Sequence, residues 1–175
     1  HFVRAWNKTY GLPTIITNCS NNYGPWQYPE KLIPLTIFKA LIKQKISIYG
    51  DGLNVRDWLY VEDHISALCL IASNGKIGES YCIGANNEKT NKFVVEKICD
   101  FIDEKIPSSQ STRLLIEFVE DRPGHDYRYA ISPNKLINEL FWEPKFSFTD
   151  SLEETIEWFL LNQKWLRSRL ECSGY

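Results

Sequence analysis

The sequence predicts an α/β fold that opens part-way through a parallel sheet, and three observations carry this. Phe2, Val3, Trp6 and Tyr10 recur at helical spacing and end at Gly11 and Pro13, a glycine stop and a residue that cannot continue a helix. The β-branched run Thr14-Ile15-Ile16-Thr17 follows at once, and a helix leading into such a strand is half of a parallel crossover. Helical and strand periodicities then alternate down the chain, with a helix-rich second half.

Asn18 to Glu30 gathers Asn21-Asn22, Gly24-Pro25 and Tyr28-Pro29, more turn formers than a plain connection requires, and reads as a ligand-binding loop. Ile33, Ile37, Ala40 and Leu41 share one helical face, with Pro34 tolerated in the first turn. Ile46 to Tyr49 is a strand closed by Gly50-Asp51-Gly52, Trp58 to Val61 is another, and the two are expected to pair. Asp63 is expected to cap a helix that buries Ile65, Leu68, Cys69 and Ala72, with Ser80 to Ile83 as the next strand. Val94, Ile98, Phe101 and Ile102 mark a helix from near Asn91, Leu114 to Val119 a strand, and Asp121 to Tyr127 a second polar loop. Pro133 to Leu140 is a short helix. The box Ser151-x-x-Glu154 is expected to open a long helix with Leu152, Ile156, Phe159 and Leu160 inward, running to Leu170.

The 175 residues fit one compact body. Twenty basic and 22 acidic side chains are interspersed, which argues against a nucleic-acid stripe and a polybasic membrane anchor. No apolar run approaches the roughly 20 residues that cross a bilayer. Cys19, Cys69, Cys82, Cys99 and Cys172 are odd in number, widely spaced and without a C-x-x-C pair, and read as reduced thiols of a cytoplasmic protein. The chain has no methionine and opens in mid-helix, so it is expected to be part of a longer protein.

Neither G-x-G-x-x-G nor G-x-x-x-x-G-K-[ST] occurs among the nine glycines. The loop Thr17-Asn18-Cys19-Ser20-Asn21-Asn22-Tyr23-Gly24-Pro25 offers neutral donors just after a strand, where open α/β sheets bind ligands, although Asn21 and Asn22 could equally spend themselves on Asx turns. Arg56 and Arg122 with Lys31 would suit a diphosphate, which takes bidentate and permanently charged donors. The alternative is local pairing of each arginine with Asp57 or Asp126. His125 with Asp121 and Asp126 is a weak metal signal, and no metal site is assigned. His64 reads as structural and Asn91 as a possible helix cap, while Tyr49, before a glycine turn, could stack a base or sugar.

The segments Thr17 to Pro25, Tyr28-Pro29-Glu30-Lys31-Leu32-Ile33-Pro34, Ile48-Tyr49-Gly50-Asp51-Gly52, Arg56-Asp57-Trp58-Leu59-Tyr60-Val61-Glu62-Asp63-His64 and Asp121-Arg122-Pro123-Gly124-His125-Asp126 with Arg128-Tyr129-Ala130 resemble, in order and spacing, the dTDP-glucose 4,6-dehydratase family. The resemblance covers His1 to about Trp165. It implies the C-terminal part of an extended short-chain dehydrogenase/reductase: residual Rossmann elements over about residues 1–30 and a sugar-nucleotide-binding domain over about 31–175. In that family a bound NAD oxidises C4 of glucose, water leaves across C5 and C6, and the hydride returns to C6.

Carried over by motif, Asn21 would hold the diphosphate, and Arg56, Arg122 and His125 would close on the nucleotide. Lys31, Leu32, Tyr49 and Asn91 would line the thymidine and phosphate pocket, and Cys19 and Asn22 would lie beside the nicotinamide end of NAD. The resemblance further implies a cytoplasmic enzyme acting on dTDP-glucose or a related sugar nucleotide, homodimeric at full length. This chain has Ser47 where the family usually has proline. The family's glycine-rich fingerprint, acid/base pair and Tyr-x-x-x-Lys couple would all precede His1, so no catalytic residue is assigned and the chain alone is expected to be inactive. The rival readings are a UDP-sugar decarboxylase or epimerase and a non-catalytic sugar-nucleotide-binding module.

A sheet lacking its leading strands exposes apolar edges. Denaturant titration of the isolated chain is therefore expected to show marginal stability, and a cooperative transition at high denaturant would contradict this.

Overall fold

A computed structural model describes residues 1–171, and Cys172 lies outside them. In chain order the elements are α1 (Phe2–Tyr10), β1 (Ile16–Cys19), β2 (Asn21–Tyr23), α2 (Leu32–Leu41), β3 (Ile46–Tyr49), β4 (Val55–Tyr60), α3 (Val61–Asn74), β5 (Ser80–Ile83) and β6 (Glu88–Thr90). There follow α4 (Asn91–Lys105), a 3-10 turn over Thr112–Leu115, β7 (Ile116–Val119), β8 (Arg128–Tyr129), α5 (Asn134–Leu140), α6 (Phe148–Leu161) and α7 (Gln163–Glu171).

The strands form small, mostly parallel sheets. β1 pairs in parallel with β5, and β3 in parallel with β7. β4 takes β2 in parallel, β6 antiparallel and β8 in parallel. The expected β3–β4 pairing is thus not formed. Both edges of β4 at Val55 and Arg56 are taken, by β6 and β8, so none is left there for β3, and every residue from Arg56 to Tyr60 is buried, the mark of a central strand. Gly50 instead donates its N–H to Val119 O, which extends the β3–β7 pairing.

β4 divides the interior into two cores. Trp58 and Tyr60 point into the larger one, with Tyr23, Ile33, Ile37, Val94, Ile98, Leu152 and Phe159. Leu59 points the other way, to Ala67, Ile71, Tyr81, Ile83, Leu136 and Trp142. The alternation follows from the period of two along a strand. α1 closes on Gly11 in the left-handed conformation and buries none of its residues.

Four helix expectations are corrected. α3 starts at Val61 directly from β4, so its cap position is Tyr60, and Asp63 lies inside the first turn. The buried Asp63 carboxylate accepts from the N–H groups of Lys145 and Phe146, at 2.8 and 3.3 Å. That contact turns the helix so that Asp63, Ala67 and Ile71 face inward, while Ile65, Cys69 and Ala72 are exposed and Leu68 is half-buried. α6 opens one turn earlier than expected, at a box in which Ser147 Oγ accepts from Asp150 N at 3.2 Å and donates to Asp150 Oδ2 at 2.7 Å. Ser151 is instead buried and shares a 2.5 Å hydrogen bond with Tyr23 OH, joining α6 to β2. The long helix breaks at Asn162 into α6 and α7.

β2 falls within the expected polar loop because three residues in a polar stretch carry no strand signal, and β6 and β8 are too short to show a period. The described cysteines are free; burial pushes the Cys99 thiol up to about 11. Among the described residues no helix is long and apolar enough to cross a membrane.

Phe141 ends α5 in the left-handed region, with φ 55, yet is 87% exposed, so no packing offsets its backbone strain. Phe141→Gly is expected to stabilise the chain by about 1 kcal/mol, read as a higher melting temperature.

Candidate functional site

The carboxyl end of β3 is where the chemistry gathers. Tyr49, the last residue of β3, is 48% exposed and stands beside the loop Asp121–Tyr127. The Arg122 guanidinium lies 5.8 Å from the centre of its ring, and the His125 imidazole meets it edge-on with centroids 6.3 Å apart. One carboxylate oxygen organises both neighbours: Asp121 Oδ1 lies 2.7 Å from His125 Nδ1 and accepts from Arg122 N at 2.9 Å. The hydrogen bond from His125 holds the Asp121 carboxyl below the usual carboxylate range. The His125 side chain is only 4% exposed, so the ring is fixed rather than swinging in solvent.

The turn after Tyr49 joins this loop to the start of α4. Gly52 has φ 73, and a Cβ there would lie 2.8 Å from Ile48 Cγ2 and 3.0 Å from Lys92 Cβ. Its carbonyl accepts from Lys92 N at 3.0 Å, and the Asn54 carbonyl accepts from Asn91 N at 3.0 Å. The cap of α4 is Thr90, which accepts from Phe93 N, so Asn91 is not spent on capping.

Arg56 enters from β4. It is buried and donates to two main-chain carbonyls, Val55 O at 2.7 Å and Asp126 O at 2.8 Å. The buried Asn54 donates to the same Asp126 carbonyl at 3.3 Å. Burial pulls the Arg56 pKa down, the field of Asp126 supports the charge, and that of Arg122 opposes it. Local pairing of Arg56 with Asp57 is not what forms, because consecutive strand residues point to opposite faces. The suggested metal group does not assemble either: Asp126 turns its carbonyl to Arg56 and Asn54, and among the described residues no three His, Cys, Asp or Glu side chains could hold a metal.

Asn21 pairs with Trp58, two residues beyond Arg56 on β4, which puts it on the same face and about 7 Å along the strand. On the other face Asn22 Nδ2 donates to Cys19 Sγ at 3.2 Å and to Ser20 O at 3.1 Å. The buried Asn22 Oδ1, Ser20 Oγ and Gln27 Oε1 atoms have no hydrogen-bond partner. Lys31 and Leu32 begin α2: Lys31 is exposed and paired with Glu30 at 2.7 Å, and Leu32 packs on the larger core. Among the described residues no hydrogen bond or ring contact ties either to Tyr49, Arg122 or His125.

The structure therefore brings Tyr49, Arg56, Asn91, Arg122 and His125 into one cluster, sets Asn21 along its wall, and places Cys19 with Asn22 at a separate buried polar patch. His64 is half-buried on α3, and burial alone lowers its pKa. Sequence reasoning missed Asn54, Asp121 as the shared acceptor, and Ser20 and Gln27. For Asn54 the sequence signal is an asparagine between a glycine turn and Arg56; the others are ordinary loop polars in a sequence.

The model of the GDP-mannose 4,6 dehydratase family matches residues 1–155. The chain belongs to this family. Within it, the chain is 55% identical over 166 residues to dTDP-glucose 4,6-dehydratase 1 of Escherichia coli (strain K12), covering 95% of this chain and 46% of the relative. The crystal structure of dTDP-glucose 4,6-dehydratase from Bacillus anthracis str. Ames in complex with NAD has a TM-score of 0.87 at 50% identity, covering 96% of this chain and 51% of that one. The Streptomyces venezuelae dTDP-glucose 4,6-dehydratase with NAD and TYD bound has a TM-score of 0.86 at 39% identity, covering 93% and 48%. The chain spans about half the length of the curated relatives it matches. Its architecture is that of the C-terminal half of these extended short-chain dehydrogenase/reductase structures.

Gly52→Ala is expected to destabilise this dehydratase-family chain by about 1–3 kcal/mol, through the left-handed backbone and the close approach of Ile48 and Lys92. Urea unfolding monitored by tryptophan fluorescence measures it.

Proposed function

We propose that these residues form the sugar-nucleotide half of a dTDP-glucose 4,6-dehydratase, with a dinucleotide-side segment over about 1–30 and a sugar-nucleotide segment over about 31–175. The observation that carries the reading is the convergence of Tyr49, Arg122, His125 and Arg56 on the single loop Asp121–Tyr127. An aromatic face beside two guanidiniums offers stacking for a base and charge for a diphosphate. In this reading Tyr49 takes the thymine, Arg56 and Arg122 take the phosphates with Asn21, and His125 and Asn91 close on the nucleotide. Lys31 and Leu32 complete the pocket from the start of α2.

The parent enzyme's NAD fits the other patch. Asn22 Oδ1 and Ser20 Oγ are buried polar atoms awaiting partners beside Cys19, and a carboxamide presents the donors and acceptor that would satisfy them. NAD supplies hydride acceptance and return when bound. Asn22 and Cys19 would hold its nicotinamide end and keep bulk water from it. The 175 residues contain no Tyr-x-x-x-Lys couple, so the chain by itself binds without turnover. The reading extends to a cytoplasmic parent enzyme that is a homodimer.

Isothermal titration of the chain with dTDP tests this. Saturable binding is expected, weakened roughly tenfold or more by Arg56→Ala or Arg122→Ala, with UDP weaker than dTDP by about tenfold. Equal or tighter UDP binding would favour a UDP-sugar enzyme, and no binding of either would sink the reading. With NAD and dTDP-glucose the chain alone is expected to yield no 4-keto sugar.

A further inference from the structure

We infer that Asp57 is a positioning residue, a buried carboxylate that clamps the turn Gly84–Asn87 and thereby sets where Asn91 stands relative to Arg56. The inference rests on the sugar-nucleotide reading of the site above.

Asp57 is 0% exposed. Taking a carboxylate out of water costs several kcal/mol unless strong partners replace the lost hydration. Here the partners are main-chain amides: Asn87 N donates to Oδ1 at 2.8 Å and Ala85 N donates to Oδ2 at 3.2 Å. Arg128, the cation whose field reaches Asp57, commits its guanidinium to both oxygens of Glu88, each at 2.6 Å. The carboxylate therefore acts on the turn and not on a counter-ion.

The turn is shaped for it. Asn86 sits at φ 52, in the left-handed region, which lets two N–H groups converge on one anion. Gly84 cannot carry a side chain, since a Cβ would lie 2.6 Å from Asp57 Oδ2 and 2.7 Å from Ile131 O. The two amides reach different oxygens, and a carboxylate is an acceptor at both. The isosteric amide of asparagine would turn a donor toward one of the N–H groups.

What the clamp controls follows from topology. The turn hands the chain from β5, paired with β1 at Cys19↔Ile83, to β6, paired with β4 at Asp57↔Glu88. Trp58 N donates to Asn87 O at 3.1 Å, a second tie at the same place. β6 is three residues long and runs straight into Asn91. Arg56 is the residue before Asp57 on the same strand, facing the opposite side. A slip of the turn against Asp57 would carry β6 with it and move Asn91 away from Arg56 and the Asp121–Tyr127 loop.

The test is a double-mutant cycle in dTDP affinity on the full chain, with Asp57→Asn, Asn91→Ala and their combination, each checked for folding by circular dichroism. Asp57→Asn is expected to weaken dTDP by about tenfold in the native background and by less than about twofold in the Asn91→Ala background. An undiminished loss in both backgrounds, or no loss at all, overturns the proposal. If Asp57→Asn fails to fold, amide exchange in the unaltered chain decides: Ala85 and Asn87 are expected to be protected and to exchange more slowly still with saturating dTDP. Exchange at open-loop rates, or protection that dTDP does not change, overturns it. An unaltered chain that binds no dTDP refutes the functional reading itself, and protection of Ala85 and Asn87 then tells separately whether the clamp exists.

Discussion

Burial of β4 on both faces is the constraint on which the rest of this structure depends. A strand with solvent on one side alternates apolar and polar; β4 has no solvent side, so Trp58 and Tyr60 feed one core and Leu59 the other. The same burial reaches Arg56 and Asp57, where it becomes a demand on the surroundings. Two opposite charges sit next to each other in sequence yet cannot pair, because the pleat sends them to opposite faces. Each must be solvated by protein, and each recruits main chain to do it: the carbonyls of Val55 and Asp126 for the guanidinium, the amides of Ala85 and Asn87 for the carboxylate.

Those two recruitments fix the loops. The Asp126 carbonyl bound to Arg56 and Asn54, with Val55 N on Tyr127 O at 2.7 Å, holds one end of the Asp121–Tyr127 loop on β4. Asp121 holds its other end in shape through His125 and Arg122 N, and it packs where Gly50 leaves room, a Cβ at Gly50 coming within 3.1 Å of Asp121 Oδ2. The loop is thus defined at both ends by hydrogen bonds that would each contribute about 1 kcal/mol singly and more together.

Much of the fold was legible in the sequence, and the failures share a cause. α1, α2, β3, β5, α4 and α5 emerge near their expected places because each carries a local signal: apolar periodicity, a glycine stop, or a tolerated Pro34. The errors at Asp63, Ser151 and the β3–β4 pairing are all cases where a distant partner decided. Asp63 looked like a cap because nothing local reveals the amides of Lys145 and Phe146, some eighty residues away. Ser151 headed a plausible capping box, but Tyr23 claimed its hydroxyl and Ser147 took the cap. At the site, Tyr49, Arg56, Arg122 and His125 could be singled out by type and by resemblance to a family. That Asp121 and the Asp126 carbonyl would gather them is a tertiary fact with no sequence period behind it.

The way Arg56 is held bears on what it can do. Had it paired with Asp57 or Asp126, its charge would be neutralised within the protein and little would remain for a ligand. Carbonyls satisfy the guanidinium's hydrogen-bonding geometry, burial and the field of Arg122 oppose its charge, and the field of Asp126 supports it. Arg122 leans on the Tyr49 face, and Asp121, bound to His125, also lies within the field of Arg122. The charge of Arg56 therefore sits in a partly desolvated place, supported by the field of Asp126 and by carbonyl dipoles. Strand pleat and main-chain carbonyls thus hold Arg56 apart from Asp57, so its hydrogen bonds go to Val55 O and Asp126 O rather than to the carboxylate beside it in sequence.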